Sequence, residues 1–221
     1  NPSDARSFRA EVPARIRMRQ LSEGLAAAER AVALAPNDAE SHFVRGEALH
    51  VIPDLNKALA AYDRALQLDP AHLGALVARA GVQLDFNRVE PAAVDVAAAL
   101  KASPREPRAV YLKAQIAERQ GRAADARAAY NELTSLIDPI PVQYLRYRPQ
   151  TQMLGGMAHH ALGQREKAKH YFEGVLRSQP GNPAAKVLAD IHLNERNPDA
   201  ATAVLDGYLR AVPTDSQAVL L

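Results

Sequence analysis

Small and apolar residues recur along this chain in a fixed skeleton. A small residue is followed four later by an aromatic or aliphatic one, then three later by another apolar residue, then five later by proline. Ala58, Tyr62, Ala65 and Pro70 form one copy, and Ala92, Val96, Ala99 and Pro104 the next. Ala168, Phe172, Val175 and Pro180 repeat it. Looser copies run through Gly24, Ala28, Ala31 and Pro36, through Ala126, Tyr130, Leu133 and Asp138, and through Ala201, Leu205, Tyr208 and Pro213. Spacings of four and seven put the apolar positions on one helical face. The proline ends that helix, because it has no N–H and clashes with the preceding turn.

The punctuation sets a period. Pro36, Pro70, Pro104 and Asp138 fall 34 residues apart; Pro180 follows after 42, and Pro213 after a further 33. About 34 residues hold two helices of three to four turns with two tight turns. A second small residue lies 12 before the skeleton alanine, at Gly46, Ala80, Ala114 and Gly156. Two antiparallel helices can nest there, because one side has almost no side chain. Counted one full period of 34 on from Gly156, the last repeat reads as an exception, with Asp190 at that place. The predicted organisation is one all-α unit over 1–221, with repeats at 4–36, 37–70, 71–104, 105–138, 147–180 and 181–213. Residues 139–149 form an insertion, and 214–221 start a further helix. Both ends read as cut from a longer protein.

This skeleton resembles the tetratricopeptide repeat, whose pattern is W-x2-L-G-x2-Y, then A-x3-F, then P. No copy has the tryptophan, and Leu49, Gln83, Ala117, His159 and Leu193 stand where the family has tyrosine. The resemblance implies a right-handed α-solenoid of about six helix-turn-helix repeats, with the first helix of each lining a concave surface that binds protein or peptide partners. In that register the concave positions are Phe43, Val77, Tyr111 and Met153, then Glu47, Gln115 and Met157, then His160. Methionine adapts to irregular partners and tyrosine adds apolar area with a polar tip, so this trough suits an amphipathic helix or an extended segment. Phe43, Val77, Glu47 and Gly81 stand where chaperone-type members carry carboxylate-reading Lys, Asn and Arg, which argues against a chaperone-tail clamp.

The insertion adds Tyr144, Arg146, Tyr147 and Arg148 as a second candidate contact. Its three prolines, Pro139, Pro141 and Pro149, keep its ends out of regular helix. The second half also resembles the bacterial repeat lipoproteins of exosortase (PEP-CTERM) and exopolysaccharide gene clusters. Met153–Gln164, Ala168–Phe172 and Ala185–Ala189 carry that likeness, which implies a periplasmic scaffold. A cytoplasmic location stays open.

Composition narrows the chemistry. A net charge of +2 gives no basic stripe for phosphate backbones, so nucleic acid is not an expected partner. There is no cysteine, which removes disulfides, thiolate metal sites and thiol catalysis. No run of eighteen apolar residues is present to span a membrane. No HExxH, GxSxG or phosphate-loop motif occurs, and no cofactor is expected. His159 and His160 are adjacent, but His159 falls on a core-facing position and reads as structural. The expectation is a non-catalytic interaction scaffold. Two rivals stay open: the repeat arm of a larger enzyme such as a glycosyltransferase, and an adaptor that assembles with itself, for example as a homodimer.

Overall fold

The computed structural model describes residues 4–215 and 218, and among these there are thirteen helices and no strand. The fold is all-α, an α-solenoid of repeated helix pairs. The chain divides into two compact units, Asn1–Gln120 and Gly121–Leu221. The expected start of a further helix at 214–221 lies largely outside the described residues.

The first unit holds α1 (Ala5–Arg17), α2 (Leu21–Leu34), α3 (Ala39–Val51), α4 (Leu55–Leu68), α5 (Leu73–Asp85), α6 (Val89–Ala102) and α7 (Pro107–Arg119). The arginine-rich opening segment is a regular helix despite Pro13, capped by Asp4 and burying Val12. First helices start at matching caps one period apart. Asp4, Asp38, His72 and Glu106 each accept a backbone N–H of the opening turn, satisfying one of its orphan donors.

The second unit holds α8 (Ala123–Ile137), the single turn α9 (Val142–Leu145), α10 (Pro149–Ala161), α11 (Arg165–Ser178), α12 (Ala184–Asn194) and α13 (Pro198–Ala211). The insertion therefore contains one helical turn, and α10 packs against α8 on its far side.

Size is exchanged across the helix pairs. A Cβ on Gly46 would lie 2.4 Å from the Tyr62 ring, and one on Gly156 would lie 2.5 Å from the Phe172 ring. The same register places Val12 with Ala28, both buried in one cluster. There the large residue has moved to the first helix and the small one to the second. In the last pair the small residue is Ala189, fully buried with Leu205, rather than Asp190, which is exposed. This corrects the sequence register by one residue: the spacing of 16 between the two contacting positions is kept in every one of these pairs.

The turn inside each repeat also has a fixed shape. Arg19, Pro53, Asn87, Gly121, Gly163 and Arg196 all have positive φ and follow the repeat spacing. Glycine enters this left-handed region freely, whereas a Cβ there meets the neighbouring carbonyl. Arg19 and Arg196, both at φ 58, are held there by their turns.

Candidate functional site

In the first unit, α1, α3, α5 and α7 touch in series and present one face. A cavity of about 460 Å³ opens between α1 and α3, walled by Arg9, Val12, Ile16, Phe43 and Glu47 among others. Arg9 pairs with Asp38, which also caps α3 through the Ser41 N–H. Burial pushes the Asp38 carboxyl up, but hydrogen bonds from Ser41 and Arg9 outweigh it and hold the group below its usual range.

The expected concave positions of this unit differ in what they leave free. Phe43 is half-buried, with its ring 4.9 Å from His72 and 6.1 Å from Tyr62. It presses on Gly74 of the next repeat, where a Cβ would come within 2.8 Å of the ring. Glu47 accepts a hydrogen bond from the Tyr62 hydroxyl at 3.3 Å. Burial, followed by the Glu47 charge, raises the Tyr62 phenol far above its ordinary value. Tyr111 and Gln115 are half-buried neighbours on α7, joined by a 3.1 Å bond from Nε2 to the phenol oxygen. Val77 is different: it is 3% exposed and packed with Leu112 and Ile116, which makes it core in this structure.

In the second unit Met153 and Met157 are half-buried against Phe172, Val175 and Leu188, and His160 is exposed. In the insertion Tyr144 and Tyr147 are 57% and 71% exposed, and Arg146 and Arg148 are exposed as well. The Arg146 guanidinium lies 4.5 Å from the Tyr147 ring centroid, a cation–π distance. Leu145 is buried and pins the turn.

Beneath this turn lies a group of side chains that the sequence pattern did not bring together, although it marked Asp138 and His159 singly. A cavity of about 440 Å³ is lined by Asp138, Ile140, Val142, Leu145, Gln152, Glu166, Lys167, His170, Tyr171 and Arg177. Asp138 gathers three donors: Nε2 of the buried His159 at 2.9 Å, the Tyr171 hydroxyl at 2.9 Å and Nζ of Lys167 at 3.0 Å. Burial raises its carboxyl, but these three bonds prevail and leave it below the usual range. Tyr171 moves the other way, raised by burial and then by its bond to Asp138. The His159 ring stacks on Tyr171 at 5.3 Å, and its Nδ1 lies 2.6 Å from Gln164 Oε1, so the expected structural role of this histidine has named partners. The eight-residue excess over the period was the one signal that something non-repetitive belonged here.

Among the described residues no cluster of three or more His, Asp or Glu could hold a metal ion. No helix among them is long and apolar enough to cross a membrane.

Family models described as tetratricopeptide repeat match residues 9–72 and 75–138, and residues 159–221. Anaphase-promoting complex subunit 7 of Arabidopsis thaliana is 27% identical over 183 residues, covering 81% of this chain and 31% of that protein. The chain thus spans about a third of the length of the curated relative it matches. Among solved structures, the APC/C hetero-tetramer Cut9-Hcn1 superposes with a TM-score of 0.74 at 13% identity, over 99% of this chain and 42% of that one. A thermophilic TPR protein of Thermus thermophilus gives 0.65 at 19% identity, over 83% and 100%. PilW, a type IV pilus biogenesis factor, gives 0.61 at 17% identity, over 85% and 84%.

Proposed function

The chain belongs to the tetratricopeptide repeat family, whose repeats generally mediate protein–protein interactions, and on that footing we propose that it is a non-catalytic scaffold. Its partner is a protein segment laid along the first-helix face of the first unit. The carrying observation is the cavity between α1 and α3, where Phe43 supplies an apolar wall and Glu47 an acceptor. Tyr111 and Gln115 continue the same register on α7. Val77 drops out of the contact set because it is core. Met153, Met157 and His160 form the corresponding surface of the second unit, and Tyr144, Arg146, Tyr147 and Arg148 are a second contact. Affinity would come from a few such aromatic, methionine and arginine anchors rather than from total area.

The working context we propose is a bacterial envelope system for exopolysaccharide assembly or export, on the likeness of the second half to lipoproteins of such systems. A second reading, a structural subunit within a large assembly, is favoured by the 27% identity to a subunit of the anaphase-promoting complex. One experiment addresses both. The protein is used to capture partners from a bacterial lysate and an envelope extract, with Glu47→Lys and Tyr111→Ala as controls of unchanged circular dichroism. A partner lost with both variants supports the groove, and retention by both removes it. Envelope export proteins among those lost support the exopolysaccharide context. Components of a multi-subunit complex support the second reading instead.

A further inference from the structure

We propose that the cavity under the insertion is a second peptide-binding site, and that it takes an extended segment with an acidic side chain beside an aliphatic one. The site is built from residues of the second unit alone and shares none with the cavity between α1 and α3; it deepens the contact proposed at Tyr144 and Tyr147 and rests on that reading. Three features specify the ligand.

The first is an unmet acceptor. Gln152 is 6% exposed and lines the cavity, yet its Oε1 has no hydrogen-bond partner among the described residues. A buried carbonyl oxygen left unpaired is costly, and a peptide N–H is the group it lacks. The second is an unpaired cation. Asp138 is occupied by His159, Tyr171 and Lys167, and Glu166 is held by Lys169 at 2.7 Å. Arg177, an exposed side chain, also lines the cavity, and its guanidinium makes no hydrogen bond or ion pair among the described residues. Lys169 also holds Glu195 at 2.9 Å, so among the described residues the Arg177 guanidinium is the cation at this cavity that meets only water and is open to a carboxylate. The third is an apolar wall of Ile140, Val142 and Leu145. Val142 of that wall is itself exposed, and the exposed Tyr144 and Tyr147 stand on the same turn and just after it, where a chain segment could reach them.

Gly174 keeps the floor open. A Cβ there would lie 2.5 Å from Gln152 Nε2 and 3.5 Å from Arg177 Nη2, so both polar heads converge over it. A side chain at this position would push the amide and the guanidinium into the space the ligand needs. The clash is with flexible ends rather than backbone, so the helix tolerates the change.

The test uses the whole chain against a positional-scanning library of blocked decapeptides, read as residue enrichment in the bound fraction. The expected result is enrichment of Asp or Glu next to Leu, Ile or Val. Arg177→Gln should cut the acidic enrichment about fivefold, near the upper end for an exposed ion pair. Gly174→Ala should lower total binding of those peptides, with an unchanged helical spectrum. Glu47→Lys, in the other groove, should leave this enrichment intact. Absence of acidic enrichment, or enrichment that survives Arg177→Gln, overturns the proposal. Enrichment lost with Glu47→Lys but not with Arg177→Gln also overturns it, and would leave the first-helix groove standing.

Discussion

Two arginines, one in each unit, show how the same side chain serves fold in one place and recognition in another. Arg79 on α5 is bound on three sides: Nε and Nη2 hold both oxygens of Asp95 at 2.8 and 2.6 Å, and Nη1 holds Asp63 at 2.8 Å. The side chain of Asp95 is 3% exposed, so the fork ties α5 to α6 from within. The bonds to Asp95, offset in part by burial, raise the Arg79 guanidinium further above its already high value. Arg177 on α11 has no such partner among the described residues, and its head lies over Gly174 at the edge of a cavity. Where every polar atom of a buried cluster is met, the cluster rigidifies; the exposed Arg177 guanidinium is met only by water and stays open to a ligand. The asymmetry extends to the amides, for Gln152 Oε1 is unpaired beside Arg177.

The comparison breaks first at Asp95. Asp95→Ala leaves Nε and Nη2 of the partly buried Arg79 unpaired, with only Asp63 still on Nη1, and should cost about 3 kcal/mol by chemical denaturation, the low end for breaking a buried pair. Asp138→Ala should cost less, about 2 kcal/mol: its carboxylate is 33% exposed and Lys167 lies in solvent, but the buried His159 and Tyr171 lose their acceptor. Equal losses would erase the distinction between the two clusters. Packing should not distinguish the units. Gly46→Val and Gly156→Val meet Tyr62 and Phe172 at nearly the same distance, and each should cost about 2–3 kcal/mol. A twofold difference in thermal shift between them would show that one pair can relax.

Acid sharpens the contrast in the second unit. The Tyr208 hydroxyl and Lys186 hold Asp215 at about 2, below its usual 3.8, and Asp138 is lowered as well. A depressed carboxyl stabilises the fold fully above its unfolded value and loses that contribution as pH falls through the folded one. Stability of the second unit should therefore fall between about pH 4 and pH 2, and Asp215→Asn should flatten that fall in urea midpoints taken across the range. The smallest effect lies in the turns. Arg196→Gly removes a side chain from the left-handed region and should raise stability by about 0.5 kcal/mol, or leave it level if unfolded-chain entropy cancels the gain. A clear loss would mean that the arginine stem packs on its turn.

How much of this could be read from sequence follows from what repeats. The helix pairs and their close contacts were legible because Gly46, Ala80 and Gly156 keep step with Tyr62, Val96 and Phe172. Asp190 misled, because a repeat one residue short moved the contact to Ala189. Gly121 announced its turn, whereas Arg19 and Arg196 gave no sign, since arginine has no left-handed preference to betray the backbone. Phe43 and Val77 carry the same register number, yet only Val77 is sealed; the packing of α7 decides that, and no local pattern encodes it. The cavity was illegible for a related reason. Its walls come from α10, α11 and the inserted turn, and only the burial of Leu145 fixes which way that turn folds back.

The contrast between the two arginines is tested most directly by thermal melts of Arg79→Gln and Arg177→Gln recorded side by side. At about 2–4 °C per kcal/mol for a chain of this size, Arg79→Gln should melt about 6 °C or more below the parent, and Arg177→Gln within about 1 °C of it. An equal drop in both would contradict the account, since Arg177 would then be holding the fold together and would not be free to meet a partner.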